Sequence, residues 1–197
     1  MRIPDEAEHP RLASGDASPP GGGEGQPDSL NNLIKERPMR HPQREIKDTA
    51  KVRELLKGCA TLQLGLWDGD RPYVVTVDFG YADNAVFFHG ALAGRKMDCI
   101  RANGLAAFTT VVESELIRAE DGCGYTTHYT SISGFGRAVV LEDPQAKAAA
   151  LDVILAQHQG PTGGYPEEVL RKTAVVRIDV EELVGKVNPA YPGDPQI

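Results

Sequence analysis

Val86-Phe87-Phe88-His89-Gly90-Ala91, running on into Gly94-Arg95-Lys96-Met97-Asp98, is the stretch on which the reading of this chain turns. Its first residues are an apolar run of strand length, closed by a histidine and followed by small residues. Gly94 then opens a short helix, with Met97 and Ile100 facing inward and Asn103-Gly104 as the stop. Cations at a helix N-terminus act against the helix dipole. Arg95 and Lys96 therefore break a local rule, as residues of a ligand site often do. A phosphate dianion would resolve the conflict, since it takes charge-assisted donors, free backbone N–H groups and the positive end of a helix together. Taken alone, Gly-Arg-Lys is a common tripeptide, and basic loop residues are more often simply solvated. His89 has two readings that its position fits equally. It is either a strand-end histidine bonded to backbone, or a donor to a cofactor ring and a proton carrier for a substrate.

Working outward, Asp48-Thr49 caps a predicted helix whose apolar face is Val52, Leu55, Leu56 and Cys59, with Gly58 placed to end it. Leu62, Leu64 and Leu66 alternate as in a half-buried strand, and Asp68-Gly69 is a hairpin signal. The next strand sets Tyr73, Val75, Val77 and Phe79 on one face, and Ala82-Asp83-Asn84 turns into Ala85–His89. These three strands are expected to form an antiparallel meander. Leu105–Val112 reads as a strand and Glu113–Gly124 as a polar loop. Tyr125–Leu141 reads as one bent strand, with Gly134 and Gly136 at a bulge or a close backbone contact. Asp143-Pro144 opens a helix with Leu151, Ile154 and Leu155 as its stripe. Lys172–Val180 gives a last strand, followed by a C-terminal elaboration at Leu183–Lys186. The predicted fold class is mainly β, a small antiparallel barrel with peripheral helices.

The 197 residues are 41% apolar and carry a formal charge of −7, enough for one domain with its own core. Net acidity argues against a general nucleic-acid binder, yet it leaves room for one phosphorylated small molecule at a local basic cluster. No apolar run has membrane-spanning length, and the N-terminus lacks the apolar core of a signal peptide, so a cytoplasmic location is expected. Residues 1–38 hold six of the 14 prolines and five of the 21 glycines, with no aromatic. They read as a disordered tail, or as a segment upstream of a natural start at Met39. The globular body spans 39–188, and 189–197 is an extension. Cys59, Cys99 and Cys123 are odd in number and scattered, which fits reduced thiols, with Cys59 and Cys99 in the core. His128 reads as a pairing residue on a strand, and His41 and His158 as surface residues. No His/Cys/Asp/Glu cluster has metal spacing, no Gly-x-Gly-x-x-Gly follows a strand, and nothing gathers Ser, His and Asp into a hydrolase site.

Four blocks, read in order, resemble the FMN-binding split-barrel proteins of the pyridoxamine 5′-phosphate oxidase type, and most of all the nitroimidazole-resistance flavoproteins among them. They are Arg71–Tyr81, Phe87–Ala91 with Gly94–Asp98, Tyr129–Ala138, and Leu141–Pro144, with Lys172–Lys186 similar to the closing strand. The resemblance implies a homodimer with FMN at the subunit interface. It places Val75, Thr76 and Val77 along the isoalloxazine ring through backbone groups, Arg95 and Lys96 at the phosphate, and His89 near the ring and the substrate. Tyr129 and Ser131 would approach from the partner subunit. Thr130 departs from the pattern, standing where relatives often carry arginine. The implied activity is FMN-dependent reduction of a small planar acceptor such as a nitroaromatic. One alternative is a flavin or haem carrier or sensor without turnover, with His89 or His128 as a candidate axial ligand. Pyridoxamine 5′-phosphate oxidation is a second, and it would need another phosphate site that no further basic cluster supplies.

Overall fold

The alternation of Leu62, Leu64 and Leu66 becomes strand β2 (Thr61–Trp67), with all three side chains buried. The computed structural model describes residues 39–188; the expectations for 1–38 and 189–197 fall outside those residues. Before β2 come the short strand β1 (Glu45–Ile46) and helix α1 (Thr49–Lys57). Asp48 caps α1 by accepting from the N–H groups of Ala50 and Lys51, and Val52 and Leu56 are its buried face. Sealing a leucine such as Leu56 from water stabilises the fold by roughly 1.5–3 kcal/mol.

Asp68–Arg71 then turns the chain into β3 (Pro72–Asp78), which pairs β2 from Trp67↔Pro72 to Thr61↔Asp78. The expected meander stops there. After Phe79 the chain makes a three-residue strand, β4 (Gly80–Ala82), and turns at Asp83 and Asn84, both at positive φ, into β5 (Ala85–Ala91). β5 pairs β4 on one side, and on the other it pairs β8 (Thr173–Asn188). The break at Phe79 sends the chain to the opposite end of the sheet, which the alternation of β3 gives no means of reading.

Helix α2 (Arg95–Asn103) follows, then the long strands β6 (Leu105–Ile117) and β7 (Thr126–Leu141). The polar loop expected from Glu113 is corrected. β6 continues past a bulge between Val111 and Glu113 and pairs β7 as far as Ile117↔Thr126, with His128 opposite Glu115. An exposed two-stranded ribbon has no buried face to impose alternation, so its sequence reads as loop. The bent β7 stands, with a register shift against β8 at Phe135/Gly136. A Cβ on Gly134 would come within 2.2 Å of the Phe108 ring, and one on Gly136 within 2.0 Å of the Asp179 carbonyl oxygen. Helix α3 (Pro144–Gln157) is capped by the Asp143 side chain, and a short α4 (Glu167–Lys172), not expected from the sequence, leads into β8. Leu183–Lys186 is no separate elaboration but the second half of β8, where Gly185 and Lys186 pair β1.

The eight strands run β3-β2-β6-β7-β8-β5-β4, with β1 on β8, and every pairing is antiparallel. One face of the sheet curls round a shared core that includes Leu64, Phe79, Phe88, Phe108, Ile132 and Ile178, with α1 and α2 contributing to the same core. No ladder joins β3 to β4 or β5 among the described residues, so the barrel is split at that seam. α3 and α4 build a second cluster on the outside, where Leu151, Ile154 and Leu170 pack with Val175 and Phe87. The fold is thus a mainly β, antiparallel split barrel with peripheral helices.

Candidate functional site

The start of α2 lies beside the β2–β3 hairpin. Gly94 precedes it at φ +117°, a conformation that L side chains rarely adopt. The Gly94 carbonyl accepts from the N–H groups of Met97 and Asp98. The amides of Arg95 and Lys96, the first two of the helix, have no partner among the described residues. Arg101, two turns along, fixes the preceding loop by donating from Nη2 to the Leu92 carbonyl at 2.9 Å.

Arg95 is held from two sides. Its Nε and Nη2 both donate to Asp68 Oδ2, at 2.7 and 2.6 Å, and its Cζ stands 4.5 Å from the centroid of the Tyr73 ring. Asp68 comes from the hairpin tip and was not among the residues singled out in the sequence, because its Asp-Gly signal is fully explained by the turn. The Arg95 hydrogen bond holds the Asp68 carboxyl below its ordinary value. Its other oxygen, Oδ1, accepts from Cys99 Sγ at 3.5 Å. Burial, helped by that carboxylate, raises the Cys99 thiol, so this buried cysteine is an inert one.

Lys96 turns the other way and is half-buried, with Nζ 5.2 Å from the centroid of Phe88. A Cβ on Gly90 would stand 3.1 Å from that Nζ, so the small residue after His89 keeps space for the ammonium. Burial lowers the Lys96 pKa, with the charge of Asp78 opposing the shift. Arg95 thus stands on the β3 side and Lys96 on the β5 side of the seam, and with the two amides unpaired among the described residues they are donors of the kind that suits a phosphate monoester. The residues fit an anionic cofactor tail.

The other residues do not all converge on this point. Strand alternation puts Val86 and Phe88 in the barrel core and Phe87 against α3. His89 shares the Phe87 face and is exposed, so its imidazole and the Lys96 ammonium lie on opposite faces of β5. Only a ligand reaching round the end of β5 could touch both. On β3, the side chains of Val75 and Val77 belong to the core, while Thr76 is exposed. Among the described residues β3 pairs with β2 alone, so every second N–H and C=O along its other edge is unpaired there. Tyr129 and Ser131 lie on β7, with Lys186 Nζ 5.3 Å from the Tyr129 ring centroid. Two strands separate β7 from β3. Beside Ser131 in the register stands Val111, 57% exposed, and on β3 Val74 is 63% exposed. His128 Nε2 is buried and has no hydrogen-bond partner among the described residues.

A pocket of about 200 Å³ lies elsewhere, between α1, the β4–β5 turn and the middle of β8, lined by residues that include Thr49, Arg53, Asn84 and Glu181. No group of three or more His, Cys, Asp or Glu side chains could hold a metal among the described residues, and no described helix is long and apolar enough to cross a membrane.

The family model described as pyridoxamine 5′-phosphate oxidase matches residues 48–187. No curated protein matches the chain. Among solved structures, a Bacteroides thetaiotaomicron protein named for 5-nitroimidazole antibiotic resistance is similar at 24% identity. That match covers 73% of this chain and 86% of the other, with a TM-score of 0.66. A flavocytochrome from Azotobacter vinelandii shares 21% identity over 80% of this chain and 75% of its own, at TM-score 0.67. An FAD and haem binding protein from Mycobacterium smegmatis shares 16% identity over 77% of each chain, at TM-score 0.69. At these identities the likeness establishes the fold and leaves the ligand to be argued from the site.

Proposed function

Because the chain belongs to the pyridoxamine 5′-phosphate oxidase family, we propose that it binds a flavin, as FMN, with the phosphate held at the start of α2. The carrying observation is the pairing of Arg95 and Lys96 with two unpartnered amides at one helix start. A flavin fits the rest of the surface as well. The free edge of β3 offers backbone donors and acceptors at alternate residues of the Val75–Val77 run for the polar rim of a ring. Two of the similar structures carry names that mention a flavin, in both cases beside a haem, and so support a flavin as a ligand of this fold.

FMN when bound would supply the electron chemistry, as hydride or single-electron transfer. The protein's part is to bind, orient and shield. Arg95 and Lys96 neutralise the dianion, and Tyr73 backs the guanidinium. His89, at the end of β5, is the residue we assign to hold or deliver a proton at the substrate side, reached round the strand end. The acceptor would be a small planar molecule such as a nitroaromatic. Within one chain the ring would be covered on one side only. A homodimer is therefore part of the reading, in which the partner subunit's Tyr129 and the partner's Ser131 cover the other. The exposed Val74 and Val111 are apolar surface that such a partner would bury.

The visible spectrum and mass of the chromophore in the freshly purified full chain test this reading. A flavin spectrum with the mass of FMN is the expected result. A Soret band would mean haem, and a colourless protein that takes up no FMN would overturn the proposal. An anaerobic screen of nitroaromatic and quinone acceptors then separates an enzyme from a carrier.

A further inference from the structure

We propose that Asp68 is a positioning residue for the anion site: from the hairpin tip it fixes Arg95 across the start of α2, with the guanidinium's outer edge left for the phosphate. This rests on the phosphate site proposed above. Both oxygens of the carboxylate are engaged by α2. Oδ2 accepts from Nε and Nη2 of Arg95, and Oδ1 from Cys99 Sγ, one helical turn further on. Asp68 is itself held, since its N–H donates to the Arg71 carbonyl and its own carbonyl accepts from Asp70 N–H. The Tyr73 ring closes the other side of the guanidinium.

Two effects of Asp68 oppose each other. Its charge repels a phosphate, and its hydrogen bonds remove the rotamer freedom that an exposed arginine would otherwise lose on binding. Because one carboxylate oxygen takes both Nε and Nη2, the Nη1 edge stays free and points away from the carboxylate. The Asp68 side chain is 29% and the Arg95 side chain 44% exposed, so water and salt screen the repulsion. Orientation prevails, and Asp68 should favour binding of the phosphorylated flavin.

The test compares FMN with riboflavin, which has the same ring and no phosphate, in the full-length chain. Asp68→Asn should weaken FMN by about tenfold, by loosening a pre-organised arginine, and leave riboflavin unchanged. In an Arg95→Ala background the same substitution should no longer weaken FMN, leaving it unchanged or slightly tighter as the carboxylate's repulsion is relieved, a result that a purely structural role of Asp68 would not give. The proposal is overturned if Asp68→Asn leaves FMN unchanged or tighter, weakens both flavins alike, or acts equally without Arg95. The phosphate-site reading fails separately, if Arg95→Ala/Lys96→Ala leaves the preference for FMN over riboflavin intact. A chain that binds neither flavin overturns both.

Discussion

Gly90→Ala separates binding from folding. Gly90 lies in the extended strand β5, and an added Cβ would meet Lys96 Nζ at 3.1 Å and Cε at 3.5 Å. The obstructed atoms are the far end of a flexible side chain, so Lys96 can give way while the backbone stays. Replacing glycine by alanine in an extended segment also trims unfolded-state entropy, worth about 0.4–1 kcal/mol in favour of folding. A displaced ammonium loses part of a charge-assisted bond of roughly 1.5–3 kcal/mol. A loss of about 1 kcal/mol corresponds to FMN affinity falling roughly fivefold. Gly136→Ala is the contrast, since its Cβ would stand 2.0 Å from the Asp179 carbonyl oxygen, where only backbone can move. Overpacking there should cost about 3 kcal/mol or more, and the melting temperature should fall by roughly 2–4 °C per kcal/mol. Flavin fluorescence titration and thermal melts of the two variants decide the matter. The reasoning is refuted if Gly90→Ala melts early like Gly136→Ala, or keeps full FMN affinity at unchanged stability.

FMN affinity should decline with rising pH before 10.5, the ordinary lysine value, because burial lowers Lys96 and only its ammonium holds the phosphate. In the flavin-free chain the sign is opposite: with the folded value below the unfolded one, the desolvated ammonium costs stability at lower pH, and that cost is relieved as pH rises between the two. Lys96→Arg should keep affinity constant across that range, and a wild-type titration flat up to pH 10.5 would count against a phosphate contact. His89→Ala should retain the flavin, as its imidazole is on the β5 face away from Lys96, while lowering turnover with a nitroaromatic; an unaltered steady-state rate removes it from the chemistry. Buried Lys147 donates to the carbonyls of Leu170 and Thr173. Lys147→Met should leave both unpaired and cost about 1–3 kcal/mol in a chemical melt; no loss would mean that water replaces the ammonium.

Where one side of an element faces the core and the other does not, the sequence carries the fold openly. The leucines of β2, the Asp48 and Asp143 caps and the paired glycines of β7 are of this kind. The β6 ribbon beyond Glu113, with no buried face, has no alternation to read. Phe79 shows a different obstacle: β3 and β4 lie next to each other in sequence, and only tertiary packing decides that they sit at opposite ends of the sheet. The basic pair was legible because it violates a helix-dipole preference. Asp68 was hidden, because a hairpin tip accounts for an aspartate by itself. The direction of His89 follows from strand alternation that Phe87 and Phe88, both aromatic, conceal.

The central claim is that the flavin's phosphate sits on Arg95 and Lys96, and chromophore retention through purification tests it most directly in the wild-type chain and the Arg95→Ala/Lys96→Ala variant. The account predicts FMN in the first, and in the second a protein that still unfolds cooperatively but emerges stripped of it. A double variant that keeps its FMN in full would contradict the account.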